Sequence, residues 1–128
     1  MIARMDLQAL KKASEELGLG FFSVDLQRVT NVPGLIKALK RDLNFPDWFG
    51  NNLDALYDCL TDLSWHPASG YVITISGSER LSANPTSFAV FNEILASAAE
   101  AWQQRGTPFR VFYVFDALPA NGEAPPCA

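Results

Sequence analysis

Two segments constrain what this chain can fold into. YVITIS, at positions 71–76, is β-branched at nearly every residue, and FRVFYVF, at positions 109–115, is dense in aromatic and branched side chains. Runs of this kind are extended, and apolar character on both faces puts a strand inside a sheet. Between them, residues 85–105 repeat Phe88, Phe91, Leu95, Ala98 and Trp102 at steps of three and four, the period of an amphipathic helix, with Gly106 as its stop. A strand, a long helix and a second strand read as a right-handed parallel crossover. A third run, FFSVDL at positions 21–26, is also β-rich and precedes two more helical patterns. The expected fold class is therefore α/β: a three-stranded parallel β-sheet packed by α-helices.

A length of 128 residues suits one domain. A chain of that size buries roughly two-thirds of its unfolded surface, and an apolar fraction of 48% with nine Phe can fill such a core. The net charge of −4 argues against binding a phosphate backbone and suits a basic partner. Mild acidity also serves solubility, and composition does not separate the two. Two cysteines are too few for a disulfide framework, so Cys59 is expected to be a buried free thiol and both cysteines to stay reduced. With no long apolar run and no leader-like apolar region at the start, the expectations are no membrane span and a cytoplasmic location.

Taken in order, residues 5–17 read as a helix, with Leu7, Leu10 and Ala13 (less clearly Leu17) on one face and Gly18 and Gly20 as stops. Residues 32–43 form a second, with Thr30 or Asn31 as cap, Pro33 in the first turn, and Leu35, Leu39 and Leu43 one turn apart. A loop punctuated by Pro46 and Gly50 leads into a third helix over residues 54–63. There Leu53, Leu56, Leu60 and Leu63 share one side, Asp54, Asp58, Thr61 and Asp62 the other, and Tyr57 lies on the border. Asn51 or Asn52 caps it. Asp54 and Asp58 stand one turn apart at a cost of a few tenths of a kcal/mol, partly offset at Asp54 by the helix dipole. A turn or short helix is expected near residues 78–81 and a frayed tail over 117–128. The expected division is a helical extension over 1–20, a domain over 21–116, and the tail.

Catalysis needs a nucleophile with its base, a metal cluster, or carboxylates in a cleft. His66, the only histidine, lies beside Pro67 in a turn and suits a structural or exposed role. No metal-ligand or phosphate-loop spacing occurs, so neither metal nor cofactor is expected. Asp54 and Asp58 could form an acid–base pair, yet a solvated helix face describes them better, and neither account explains Trp48, Phe49 and Tyr57 beside them. Aromatic rings next to carboxylates suit a protein interface, although one or two of these rings must belong to the core.

Positions 48–60, WFGNNLDALYDCL, resemble the signature of the barstar family of intracellular inhibitors of barnase-type ribonucleases. A weaker likeness runs from about Phe21 to about Phe115. The resemblance implies a three-stranded parallel sheet with helices packed on it, agreeing with the strand and helix pattern. It implies Trp48 and Tyr57 as contacts and Phe49 as core. It also implies that Asp58 enters a ribonuclease active site in place of a phosphate, accepting paired bonds from arginine. Asp54 and the loop residues Trp48, Gly50, Asn51 and Asn52 then meet a neighbouring nuclease loop, and Thr61 adds a polar contact. Asn51 stands where the archetype has an acid, Tyr57 and Leu63 where it has tryptophans. Ala101 occupies the position of an acidic contact on the last helix, leaving Glu100 beside it as the candidate. The expected function is a non-enzymatic, cytoplasmic inhibitor of a basic, exported ribonuclease, a monomer when free. The alternatives are a barstar-like module that neutralises another basic toxin or partner protein, and an enzyme using Asp54 and Asp58.

Overall fold

The computed structural model describes residues 2–3, 7–46 and 50–115. Trp48, Phe49, Cys127 and the rest of the tail from residue 116 lie outside them. In chain order the elements are β1 (Ile2–Ala3), α1 (Leu7–Glu16), β2 (Gly20–Asp25), α2 (Val32–Asp42), α3 (Leu53–Leu60), β3 (Tyr71–Ser76), α4 (Glu79–Ser82), α5 (Pro85–Gln104) and β4 (Phe109–Phe115).

The three expected strands form the parallel sheet, with β3 between β2 and β4 and Ile73 level with Phe22 and Val111. Its first five residues are all buried, as a strand with neighbours on both sides and helices on its faces must be. Thr74 is the polar exception, 1% exposed. Its hydroxyl donates to the Phe22 carbonyl at 3.4 Å and lies 3.2 Å from Ser23 Oγ, so nothing polar is orphaned there. The order is β1-β4-β3-β2. The edge strand β1 is an addition to the expected three: Ile2 pairs in parallel with Val114 and Ala3 with Phe115. Two residues carry no period of their own, and the pairing is made across almost the whole chain.

The start of the chain differs in a second respect. On α1 the buried side chain is Ser14, whose hydroxyl donates to the Leu10 carbonyl at 2.8 Å, while Ala13 is exposed and Leu17 is 70% exposed. Leu7 and Leu10 are half-buried, so the expected face holds at its start and passes to Ser14 in place of Ala13. Gly18, at φ 73°, turns the backbone between the exposed Leu17 and the half-buried Leu19 ahead of β2.

Helices α1 and α2 pack on β2, α5 packs on β4, and α3 and α4 pack on α5. One apolar core joins them, with Leu35, Leu39, Leu56, Leu60, Ile73 and Phe91 among its most buried members. Asn31 caps α2, accepting from the Gly34 N–H at 3.0 Å. At the other end of α2, Arg41 grips Asp42 through Nε (2.8 Å) and a terminal nitrogen (2.9 Å), and Asp42 accepts from the Asp25 N–H at 2.9 Å. The guanidinium beside it holds the Asp42 carboxyl below its ordinary range, with the Asp25 N–H acting in the same direction. This clasp fixes α2 to the end of β2. Beyond β3, Gly77 sits at φ 70°, where a Cβ would lie 2.8 Å from the Gln27 backbone, so no side chain fits. Gly106, at φ 75°, closes α5, with the Thr107 N–H donating to the Trp102 carbonyl at 3.0 Å. Among the described residues no helix is long and apolar enough to cross a membrane.

Candidate functional site

Helix α3 is shaped by the leucine spacing described above. Leu56, Leu60 and Leu63 are fully buried, Leu53 is half-buried, and Asp54, Asp58 and Asp62 are exposed, with Tyr57 and Thr61 between. The helix ends at Leu60, three residues sooner than the leucine pattern suggests. Leu63 still reaches the core because it takes up φ 50°, a conformation that a β-substituted residue adopts at some cost. The expected stretch over residues 54–63 is therefore an eight-residue helix followed by a tight turn.

Both ends of α3 are tied down. Asn52 is the cap: its side-chain oxygen accepts from the Ala55 N–H at 2.7 Å. Asn51 instead sits at φ 55°, which asparagine tolerates better than most residues. At the C-terminal end the buried indole of Trp102 donates to the Leu60 carbonyl at 2.8 Å. Arg105 donates to the Thr61 carbonyl, and its guanidinium lies 4.7 Å above the Trp102 ring. An indole N–H and a cation thus satisfy carbonyls the helix cannot satisfy itself, the cation matching the dipole. Leu43 and Phe45, ahead of α3, are anchored too. Phe45 is buried against Trp65, edge to face at 5.8 Å, and Trp65 donates to the Leu43 carbonyl at 3.1 Å.

Asn52→Ala is expected to cost about 1 kcal/mol of stability and Asn52→Gly only a few tenths. Urea unfolding of the two variants decides it; an alanine variant as stable as wild type contradicts the cap.

On this frame Asp54 and Asp58 stand about 6 Å apart along the axis. Neither carboxylate has a hydrogen-bond or ion-pair partner among the described residues. Tyr57 lies between them in sequence. Thr61 Oγ1 donates to the Tyr57 carbonyl at 2.9 Å and to the Asp58 carbonyl at 3.2 Å, so its hydroxyl is engaged with the helix end. Gly50, Asn51, Asn52, Asp54 and Asp58 are all exposed, within nine consecutive positions. Glu100 is exposed on α5. By helical geometry it points about 200° round that helix from Trp102, the residue that touches α3. His66 packs its ring on Phe22, centroids 4.8 Å apart. Among the described residues no cluster of three His, Cys, Asp or Glu could hold a metal. The positioning residues Trp65 and Trp102 gave no local sign of their roles, because each acts on a carbonyl distant in sequence.

Beneath the acidic face Cys59 is fully buried and unpaired. Burial pushes its thiol up, and the charges of Asp62 and Asp58 push the same way. A group raised on folding contributes stability fully below its unfolded value and loses it as pH climbs through the folded one, so any effect belongs to alkaline pH. With Cys127 changed to serine, Cys59 is expected to react with a disulfide reagent only as fast as the chain unfolds. Labelling at the rate of a free thiol contradicts that.

Two comparisons bear on this arrangement. The family model described as "Barstar (barnase inhibitor)" matches residues 19–114. A Bacillus subtilis (strain 168) protein named "Putative ribonuclease inhibitor YrdF" is 50% identical over 38 residues, a match spanning 30% of this chain and 42% of that protein.

Proposed function

The chain belongs to the barstar family, and from that premise we propose that it is a protein inhibitor of a basic ribonuclease, acting by placing the Asp58 carboxylate in the site that holds the substrate's phosphate. One observation carries the proposal: two carboxylates without partners among the described residues stand on the exposed face of a helix capped at one end and pinned at the other. A charge presented in this way is already organised, so little ordering cost is added on binding. A ribonuclease groove lined by cations offers Asp58 the charge-assisted bonds that a phosphate would take. Asp54, Tyr57, Thr61 and the loop residues Gly50, Asn51 and Asn52 surround that contact, and Trp48 joins them by family resemblance. Glu100 enters only as a peripheral charge. In this account the inhibitor works in the cytoplasm on an enzyme meant for export, is monomeric when free, and catalyses nothing.

A second partner class is favoured by one feature of this chain. Asn51 stands where the archetype has an acid, so the loop offers one charge fewer to a barnase-like enzyme. The same surface then neutralises another basic protein. A cleavage assay against barnase-type ribonucleases separates the two: stoichiometric loss of cleavage supports the first, and tight binding with cleavage untouched supports the second.

Charge also sets how the complex forms. Asp47, Asp54, Asp58 and Asp62 fall within sixteen residues of an already acidic chain. Association is expected to slow steeply as salt rises from 0.1 to 1 M, where the Debye length falls from about 10 Å to about 3 Å. Stopped-flow rates that stay flat over that range contradict steering.

A further inference from the structure

We infer that the open groove between α2 and the residues Asn44, Phe45 and Asn51 is a second docking surface, which receives an acidic segment of the protein docked on α3. The groove holds about 770 Å³ and is lined by Lys37, Lys40, Arg41, Asn44 and Asn51, with Phe45 in its wall. The inference depends on α3 being the partner-binding helix, as proposed above.

Three of the chain's ten lysines and arginines fall within five residues here, at i, i+3 and i+4 of one helix, and so face one way. Lys40 and Arg41 lie in the last turn of α2, where they suit its dipole. Lys37 lies a turn earlier, beyond most of that benefit. Neither lysine has an ion-pair partner among the described residues. Arg41 is different: Asp42 and the Asp25 carbonyl, accepting at 3.0 Å, hold its guanidinium in place. Asp42 neutralises part of this charge, and among the described residues no acid lines the groove itself. Asn44 and Asn51, at φ 54° and 55°, add two amide side chains.

The position of the groove decides what it takes. Asn51 belongs both to the groove and to the loop that leads into α3, whose carboxylates begin three residues later. A nucleic-acid strand following the groove runs from three cations straight into Asp54 and Asp58, where like charges repel it. A folded protein avoids that conflict by presenting cations to α3 and carboxylates to the groove. The two patches of opposite sign then fix the orientation in which the partner docks, the usual role of complementary charge at an interface.

The test needs no nuclease. The ¹⁵N-labelled protein is titrated with a hexaglutamate peptide at low salt. Saturable amide shifts at Lys37, Lys40, Arg41, Asn44 and Asn51 are expected, and the folded variant Lys37→Glu/Lys40→Glu loses them. Shifts spread evenly over Arg28, Arg80, Arg105 and Arg110, or shifts that survive the double substitution, overturn the inference. So does a six-nucleotide oligouridylate that binds the same residues more tightly than the peptide. Because this readout does not involve cleavage, a protein that inhibits no ribonuclease still gives a clear map, and the two proposals fail separately. With a ribonuclease that the wild type does inhibit, Lys37→Glu/Lys40→Glu slows association roughly tenfold. Faster association, as a wholly cationic partner surface requires, also overturns it.

Discussion

Asp58→Ala is expected to weaken binding of the partner ribonuclease by about 2–5 kcal/mol, roughly 30- to 4,000-fold, and mainly through faster dissociation (a range drawn from other interfaces, barnase–barstar among them). The size of the effect comes from what is left behind. In the complex proposed above the carboxylate would face cations that have lost their water, and removing it would leave them buried and unpaired. Asp54 begins the helix near the loop, closer to the rim, so Asp54→Ala is expected to cost less. Asp62 follows the helix, where its carboxylate accepts from Ser64 Oγ at 3.2 Å, and acts on the partner only at long range. Asp62→Ala is therefore expected to change affinity by a few tenths of a kcal/mol. None of the three is on the buried face, and Asp58→Ala relieves the repulsion with Asp54 while adding a better helix former. Its stability is expected to stay within about 0.5 kcal/mol of wild type, so lost affinity cannot be put down to lost fold.

Trp102→Ala is expected to destabilise the free protein by about 3–5 kcal/mol, a large share of the roughly 5–15 kcal/mol that holds a domain of this kind. The ring is 8% exposed and packs against Tyr71 at 5.2 Å and, nearly parallel at 7°, against Phe109 at 6.4 Å. Its loss opens a cavity at the junction of α5, β3 and β4, removes the platform under Arg105, and strands the Leu60 carbonyl. Trp102→Phe separates these effects. It keeps most of the packing but not the indole donor, and is expected to cost about 1–3 kcal/mol for the stranded carbonyl. Urea unfolding of both variants measures it; a phenylalanine variant as stable as wild type shows that the Leu60 bond does not hold α3.

Much of this frame was legible in the sequence because local periods carried it. Leucines at steps of three and four fixed which side of α3 is buried, and hence that Asp54 and Asp58 point outward. YVITIS read as a central strand, since β-branched residues on both faces leave no side for water. A cap at Asn51 or Asn52 and the Gly106 stop follow from single-residue backbone chemistry, and the structure chooses Asn52. Other features depend on contacts between distant residues. The end of α3 at Leu60 hinges on a left-handed leucine, a conformation its side chain gives no reason to expect. Strand β1 is too short for a pattern and pairs with a partner over a hundred residues away. The burial of Ser14 rather than Ala13 on α1 depends on how that helix docks on β2. The basic groove had a visible signal in the spacing of Lys37, Lys40 and Arg41, but only the fold places it beside Asn51. Asn84, just before Pro85, is the cap of α5. Its side-chain oxygen accepts from the Ser87 N–H at 3.4 Å and its amide donates to the Thr30 carbonyl at 3.0 Å.

The most direct test is a cleavage titration. A barnase-type ribonuclease at fixed concentration is titrated with the wild-type protein, Asp58→Ala and Asp62→Ala, each shown to be folded by circular dichroism. The account predicts that wild type and Asp62→Ala abolish cleavage at one equivalent, while Asp58→Ala leaves it largely intact at the same concentration. If Asp58→Ala inhibits as fully as Asp62→Ala, or if the wild type leaves cleavage untouched, the Asp58 carboxylate does not act as a phosphate mimic.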